Sequence, residues 1–188
     1  MPIRLNLLAE AQAAEDLRRR DPVKRAISAY YHHIHGRRIA PTRRIGEVGG
    51  QYGIISMGYY HSQLCEWLKH FRMDQILVLI YEEEIAKNKI ETLRKVFRFL
   101  GVSEEFTPEG LDERHNARVG YLYLRLNYYF PAFTKRYISR SSFLGRVDFP
   151  AIDVSPDEVR ELSKLYYEEN GRLEKMLGRK IGSWRTKG

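Results

Sequence analysis

The sequence predicts an α/β fold, a parallel sheet with flanking helices, and three stretches carry that reading. QILVLIY, residues 75–81, is a short, nearly all-apolar run of the kind that a parallel sheet buries on both faces. Amphipathic segments precede and follow it, around residues 58–71 and 89–100. Farther upstream, DPVKRAISAYYHHI opens with helix-start chemistry.

At 188 residues the chain has the size of one domain. Its 43% hydrophobic content is enough to close a core, which excludes a disordered chain. Lys and Arg (32) exceed Asp and Glu (24), and the surplus of 8 favours an anionic partner: a nucleotide, a nucleic acid or an acidic membrane surface. The single cysteine, Cys65, rules out an internal disulfide and fits a reducing, cytoplasmic setting. No apolar run is long enough to cross a bilayer, and MPIRLNLLAEAQ lacks the sustained apolar stretch of a secretory signal.

The first helix is expected to begin at Asp21, whose side chain suits an N-cap, with Pro22 where a missing N–H costs nothing. Val23, Ile27, Tyr30 and Ile34 mark its buried face, and Ser28 lies on the flank of that stripe. Residues 36–56 hold Pro41 and five glycines without a sustained period, so they read as loop. A second helix from about Gly58 presents Tyr60, Leu64, Trp67, Leu68 and Phe71. Residues 75–81 follow as a central strand, and residues 89–100 as a third helix that Gly101 stops. VGYLYLRLNYYF is ambiguous in period and is assigned to helix. In SPDEVRELSKLYYEENGRLEKMLG, Ser155, Pro156 and Glu158 form a capping box, and Val159, Leu162, Tyr166, Leu173 and Leu177 supply the apolar side.

Folds of this class bind ligands at the carboxyl ends of strands beside helix N-termini. Arg20 stands just before the first helix and Ser28 two turns into it, about 10 Å along the axis, a gap that one guanidinium can help close around a phosphate. Composition alone equally allows Arg18, Arg19, Lys24, Arg25, Arg37 and Arg38 to be ordinary solvated charges.

RDPVKRAISAYY, residues 20–31, resembles the 3'-phosphate-binding signature of sulfotransferases, enzymes that use 3'-phosphoadenylyl sulfate, with its arginine followed eight residues later by serine. The resemblance continues through residues 58–102, where Gly58, Tyr60, Gln63, Leu64, Trp67 and the FLGV ending stand in register. FPAID and the LYYEENGRLEKMLGRKIGSW tail are similar to the bacterial and heparan-type branch. The resemblance implies a sulfotransferase-like domain over residues 20–188, with Arg20 and Ser28 holding the nucleotide 3'-phosphate and Arg146 in a closing loop. It implies 3'-phosphoadenylyl sulfate as co-substrate, adenosine 3',5'-bisphosphate as product, and a small-molecule or carbohydrate acceptor.

Family members also carry a buried strand and a phosphosulfate loop with glycine, lysine and threonine before the arginine, and a general base between loop and arginine. Residues 1–19 show neither, and AEAQAAEDLRRR favours helix over strand. The expectation is therefore an atypical, N-terminally truncated segment at 1–19, no assignable catalytic residue, and doubtful activity for the isolated chain. A vestigial anion-binding module, or a subunit completed by a partner, is the alternative; nucleic-acid binding is a weaker one. His32, His33 and His35 lack the acidic or cysteine partners of a metal site, and His61, His70 and His115 fit no base position. Glu82, Glu83 and Glu84 could be catalytic acids by chemistry alone, but the resemblance makes them a structural turn.

Overall fold

The computed structural model describes residues 18–108, 121–137 and 154–184. The chain divides into two compact units, one from Met1–Pro22, Tyr60–Leu111 and Glu169–Gly188, the other from Val23–Tyr59 and Asp112–Glu168.

In the first unit β1 (Arg18–Arg19) pairs in parallel with β2 (Leu79–Ile80), Arg18 opposite Leu79 and Arg19 opposite Ile80. This corrects the helix expected from AEAQAAEDLRRR at its last residues. Helix propensity is a weak local preference, and the backbone partner offered by Leu79 and Ile80 overrides it. The strand expected over 75–81 is also shorter than its apolar run. Met73–Gln75 form a 3₁₀ turn in which the Gln75 side chain accepts the Arg72 N–H at 2.9 Å, and Tyr81–Ile85 form a wide π-type turn. Among the described residues the sheet has two strands, so β2 has a paired neighbour on one side only.

Ile80 is fully buried nonetheless, in a cluster with Tyr60 and Leu64 of α3 (Tyr60–Leu68) and with Leu173, Ile181 and Trp184. Trp67 departs from the expected face: it is 47% exposed and packs beside Phe71 at 5.7 Å. The third sequence-predicted helix appears as α4 (Lys89–Leu100), with the Asn88 side chain accepting the Glu91 N–H at 3.0 Å. Gly101 stops it at φ 69°, a left-handed conformation that glycine adopts without strain.

The second unit is helical. It contains α1 (Pro22–His35) from Val23 onward, the short α2 (Ile45–Val48), α5 (Tyr121–Tyr129), α6 (Pro131–Tyr137) and the start of α7 (Pro156–Leu177). Ala26, Tyr30 and Ile34 give α1 its buried stripe, one turn apart as the sequence requires, with Val23 and Ile27 packed at its margin. The capping box of α7 is present: Ser155 N–H donates to Glu158 at 2.9 Å and Glu158 N–H donates to Ser155 Oγ at 3.2 Å. Tyr166 is wholly buried and lies so close to Gly58 that a Cβ there would stand 2.7 Å from its ring, so this position needs a residue without a side chain.

Candidate functional site

The carboxyl ends of β1 and β2 lie side by side because Arg19 is in register with Ile80. The next residue on each strand is therefore Arg20 and Tyr81, and the Arg20 guanidinium carbon sits 4.5 Å from the centre of the Tyr81 ring. Arg20 is exposed. A guanidinium over an aromatic face is attracted by the ring quadrupole while its N–H donors stay directed in its own plane. Immediately after it, the buried Asp21 donates its backbone N–H to Glu82 Oε1 at 3.1 Å, and α1 begins at Pro22. An exposed arginine thus stands at the carboxyl end of two parallel strands, where its positive charge favours an anion.

The three glutamates beside it have other work. Glu82 also accepts the indole N–H of Trp184 at 3.1 Å, and Glu83 accepts both the backbone N–H and the hydroxyl of Ser183, at 3.2 and 3.1 Å. Glu84 accepts the Ile80 N–H at 2.6 Å, the Lys95 ammonium, and Arg179 at 3.3 Å. Burial pushes the Glu84 carboxyl up, but Lys95, the Ile80 N–H and Arg179 together outweigh it, and the carboxyl titrates below its ordinary value. Each carboxylate fastens the turn after β2 to a neighbouring segment, as a structural turn should.

Ser28 belongs to the second unit, where it is exposed in α1 with Lys24 and His32 four residues to either side, also exposed. Arg25 is committed elsewhere: its guanidinium donates to the carbonyls of Ile54 and Gly53. His33 is buried and stacked on Tyr52 at 4.8 Å; burial, then Arg38 and His32, lowers its basicity. His35 stacks on Tyr123 at 6.1 Å. In the first unit, His61 contacts Cys65 Sγ at 3.6 Å and lies 4.0 Å from Glu169. Among the described residues, no three His, Cys, Asp or Glu side chains are grouped to hold a metal. Arg146, Gly145, His115 and the FPAID stretch lie outside the described residues. Tyr81 was not singled out from the sequence; its one signal is an aromatic residue closing an apolar run.

A family model described as the sulfotransferase domain matches residues 19–119, more than half of the chain. Heparan sulfate glucosamine 3-O-sulfotransferase 3B1 of Mus musculus is 29% identical over 173 residues, covering 87% of this chain and 41% of that protein. The Homo sapiens protein of the same name is 29% identical over 175 residues. The chain thus spans about two fifths of the length of the curated relatives it matches. In fold it is similar to the crystal structure of a sulfotransferase from Alicyclobacillus acidocaldarius, with a TM-score of 0.57 at 23% identity over 88% of this chain and 55% of that one.

Proposed function

Because the chain belongs to the sulfotransferase family, we propose that it moves a sulfuryl group from 3'-phosphoadenylyl sulfate to a hydroxyl or amine acceptor, releasing adenosine 3',5'-bisphosphate. The observation that carries this reading is the position of Arg20, exposed at the carboxyl edge of the parallel strands and held against Tyr81. In the reading, residues 20–188 form the sulfotransferase-like domain. Arg20 gives fixed N–H donors to the nucleotide 3'-phosphate, Ser28 adds one hydroxyl donor without further charge, and Arg146 closes on the same group. The acceptor oxygen or nitrogen attacks sulfur, the bond from sulfur to the bridging phosphate oxygen breaks, and the acceptor proton leaves to a base that is not assigned. A carbohydrate acceptor fits the curated relatives, whose names specify a glucosamine of heparan sulfate. A cytoplasmic location completes the reading.

Calorimetry tests it by comparing adenosine 3',5'-bisphosphate with adenosine 5'-phosphate. The bisphosphate should bind more tightly, and Arg20→Ala should weaken it by roughly ten- to a hundredfold, the worth of a charge-assisted hydrogen bond of about 1.5–3 kcal/mol. Equal affinity for the two nucleotides would remove the assignment. Transfer of labelled sulfate to a panel of phenols, alcohols and amino sugars then separates an active transferase from a module that only binds.

A further inference from the structure

Among the described residues, two that are not glycine have positive φ, Arg37 at 58° and Tyr52 at 51°, and both lie in the second unit. A bulky residue rarely adopts this left-handed conformation, and each stands beside a glycine, Gly36 or Gly53, a residue type that adopts it without strain. Strain retained at such positions points to the side chains it displays. His33 joins the two places. Arg38, next to Arg37, donates to His33 Nδ1 at 3.4 Å, and the Tyr52 ring stacks on the imidazole at 4.8 Å. His33 covers one face of Tyr52, yet the residue is 53% exposed, so the opposite face is open.

Residues 36–52 connect these points and carry four arginines, Arg37, Arg38, Arg43 and Arg44, with one carboxylate, Glu47. All four arginines are exposed. Glu47 is taken by Arg43 at 2.7 Å, and neither Arg37 nor Arg44 has a side-chain partner among the described residues. The backbone beneath them is fixed: Ile39, Pro41, Ile45 and Val48 are buried, and the Tyr30 hydroxyl holds the Arg43 carbonyl.

We infer that this arginine loop binds single-stranded nucleic acid, with phosphates on the guanidinium forks and a base stacked on Tyr52. The ligand must be anionic, because Arg37, Arg38 and Arg44 meet no carboxylate among the described residues. Arginine throughout, with no lysine in residues 36–52, suits oxyanions held two oxygens at a time. The open ring then selects among polyanions. It offers a flat π face that an unpaired base can cover, whereas a duplex keeps its bases stacked on one another and an acidic polysaccharide has no aromatic plane to offer. Arg38 and Tyr52 both touch His33, so a phosphate and its base can reach their partners within one nucleotide. The inference stands apart from the transferase reading, which concerns Arg20 in the other unit.

The test is fluorescence anisotropy of the full chain with a labelled single strand of mixed sequence that lacks terminal phosphates. Binding is expected, and it should weaken with salt. Arg37→Gln/Arg44→Gln should flatten the logarithmic salt slope by about 1.4, the share of two phosphates on a single strand at about 0.7 each. Tyr52→Gly relieves the positive φ while removing the ring, and should weaken binding roughly tenfold. Should the glycine variant disturb the loop, Tyr52→Trp supplies a second readout: it should keep the affinity, and its added fluorescence should be quenched by the stacked base. No binding, unchanged affinity in Tyr52→Gly, or no quenching in Tyr52→Trp overturns the inference. Displacement of the strand by adenosine 3',5'-bisphosphate also overturns it, by assigning the anion to the nucleotide site. So does tighter binding of the same sequence as a duplex, or of a sulfated polysaccharide, that the arginine pair reduces and Tyr52→Gly does not.

Discussion

Around Tyr166 the buried cluster of the second unit is sealed mainly by neutral hydrogen bonds, whereas around Ile80 the cluster of the first unit is sealed by carboxylates. Tyr166 donates its hydroxyl to the Ile55 carbonyl at 2.7 Å, and Tyr30 donates to the Arg43 carbonyl at 2.5 Å. In the other unit Glu82, Glu83 and Glu84 tie the turn after β2 to Asp21, Trp184, Ser183, Lys95 and Arg179, while Glu174 accepts the Ile181 N–H at 2.7 Å. Both clusters bury similar aliphatic and aromatic groups, so the contrast lies in their seals. Hydroxyl-to-carbonyl bonds keep their protons across the acid range, but a carboxylate acceptor is lost once it is protonated. The unit that presents Arg20 should therefore be the acid-sensitive one.

The largest effect should come from emptying the neutral cluster. Tyr166 is wholly buried, packs edge-on to Tyr59 at 5.6 Å and fills the space above Gly58. Tyr166→Ala removes all of this, and large aromatic truncations cost about 3–5 kcal/mol. Thermal denaturation should show a fall of roughly 6–20 °C for a chain of this size. A shift of only a degree or two would mean that the cluster collapses around the void and that Tyr166 does not hold it.

Chemistry that is local in sequence was legible, and chemistry that depends on distant partners was not. The start of α7 and the end of α4 follow from Ser155-Pro156-Glu158 and Gly101, each acting within a turn of its own position, and α1 begins at Pro22 as the Asp21-Pro22 pair predicts. β1 was hidden because Arg18 and Arg19 are extended only by virtue of Leu79 and Ile80. The Arg20 contact with Tyr81 was hidden for the same reason, since it requires the strand register. The acidic run was correctly read as a turn, yet three of its fasteners, Ser183, Trp184 and Arg179, come from about a hundred residues away and carry no motif.

A smaller effect, with a pH signature, should follow Glu84→Gln. The Glu84 side chain is 15% exposed, while Lys95 and Arg179 are 42% and 36% exposed and can rehydrate. The loss at neutral pH is therefore about 1–2 kcal/mol rather than the larger cost of a deeply buried pair. Its folded titration lies below the ordinary carboxylate value near 4.5. The stability it contributes is complete above that value and disappears as pH falls through the lower folded one. Both tryptophans, Trp67 and Trp184, lie in this unit, so their fluorescence reports its unfolding. The unsubstituted chain should lose stability in acid more steeply than the Gln variant. Parallel acid curves for the two would show that Glu84 is not a seal.

The smallest effect is the control that separates hydroxyl from carboxylate. Tyr166→Phe keeps the ring against Gly58 and removes the bond to the Ile55 carbonyl together with the hydroxyl's contact with Arg25, a loss of about 1 kcal/mol. Burial raises the ionisation of the Tyr166 hydroxyl above its ordinary value of 10, with nearby Arg25 pulling the other way, so the group stays protonated well beyond neutrality. The hydroxyl cannot change charge on acidification, and the stability difference between Tyr166→Phe and the unsubstituted chain should remain constant from about pH 4 to about pH 8. Urea titrations at several pH values, followed by circular dichroism, measure that difference. Were it to grow or shrink in acid, the neutral cluster would be coupled to a titrating group, and the distinction between the two seals would fail at the residue chosen to define it.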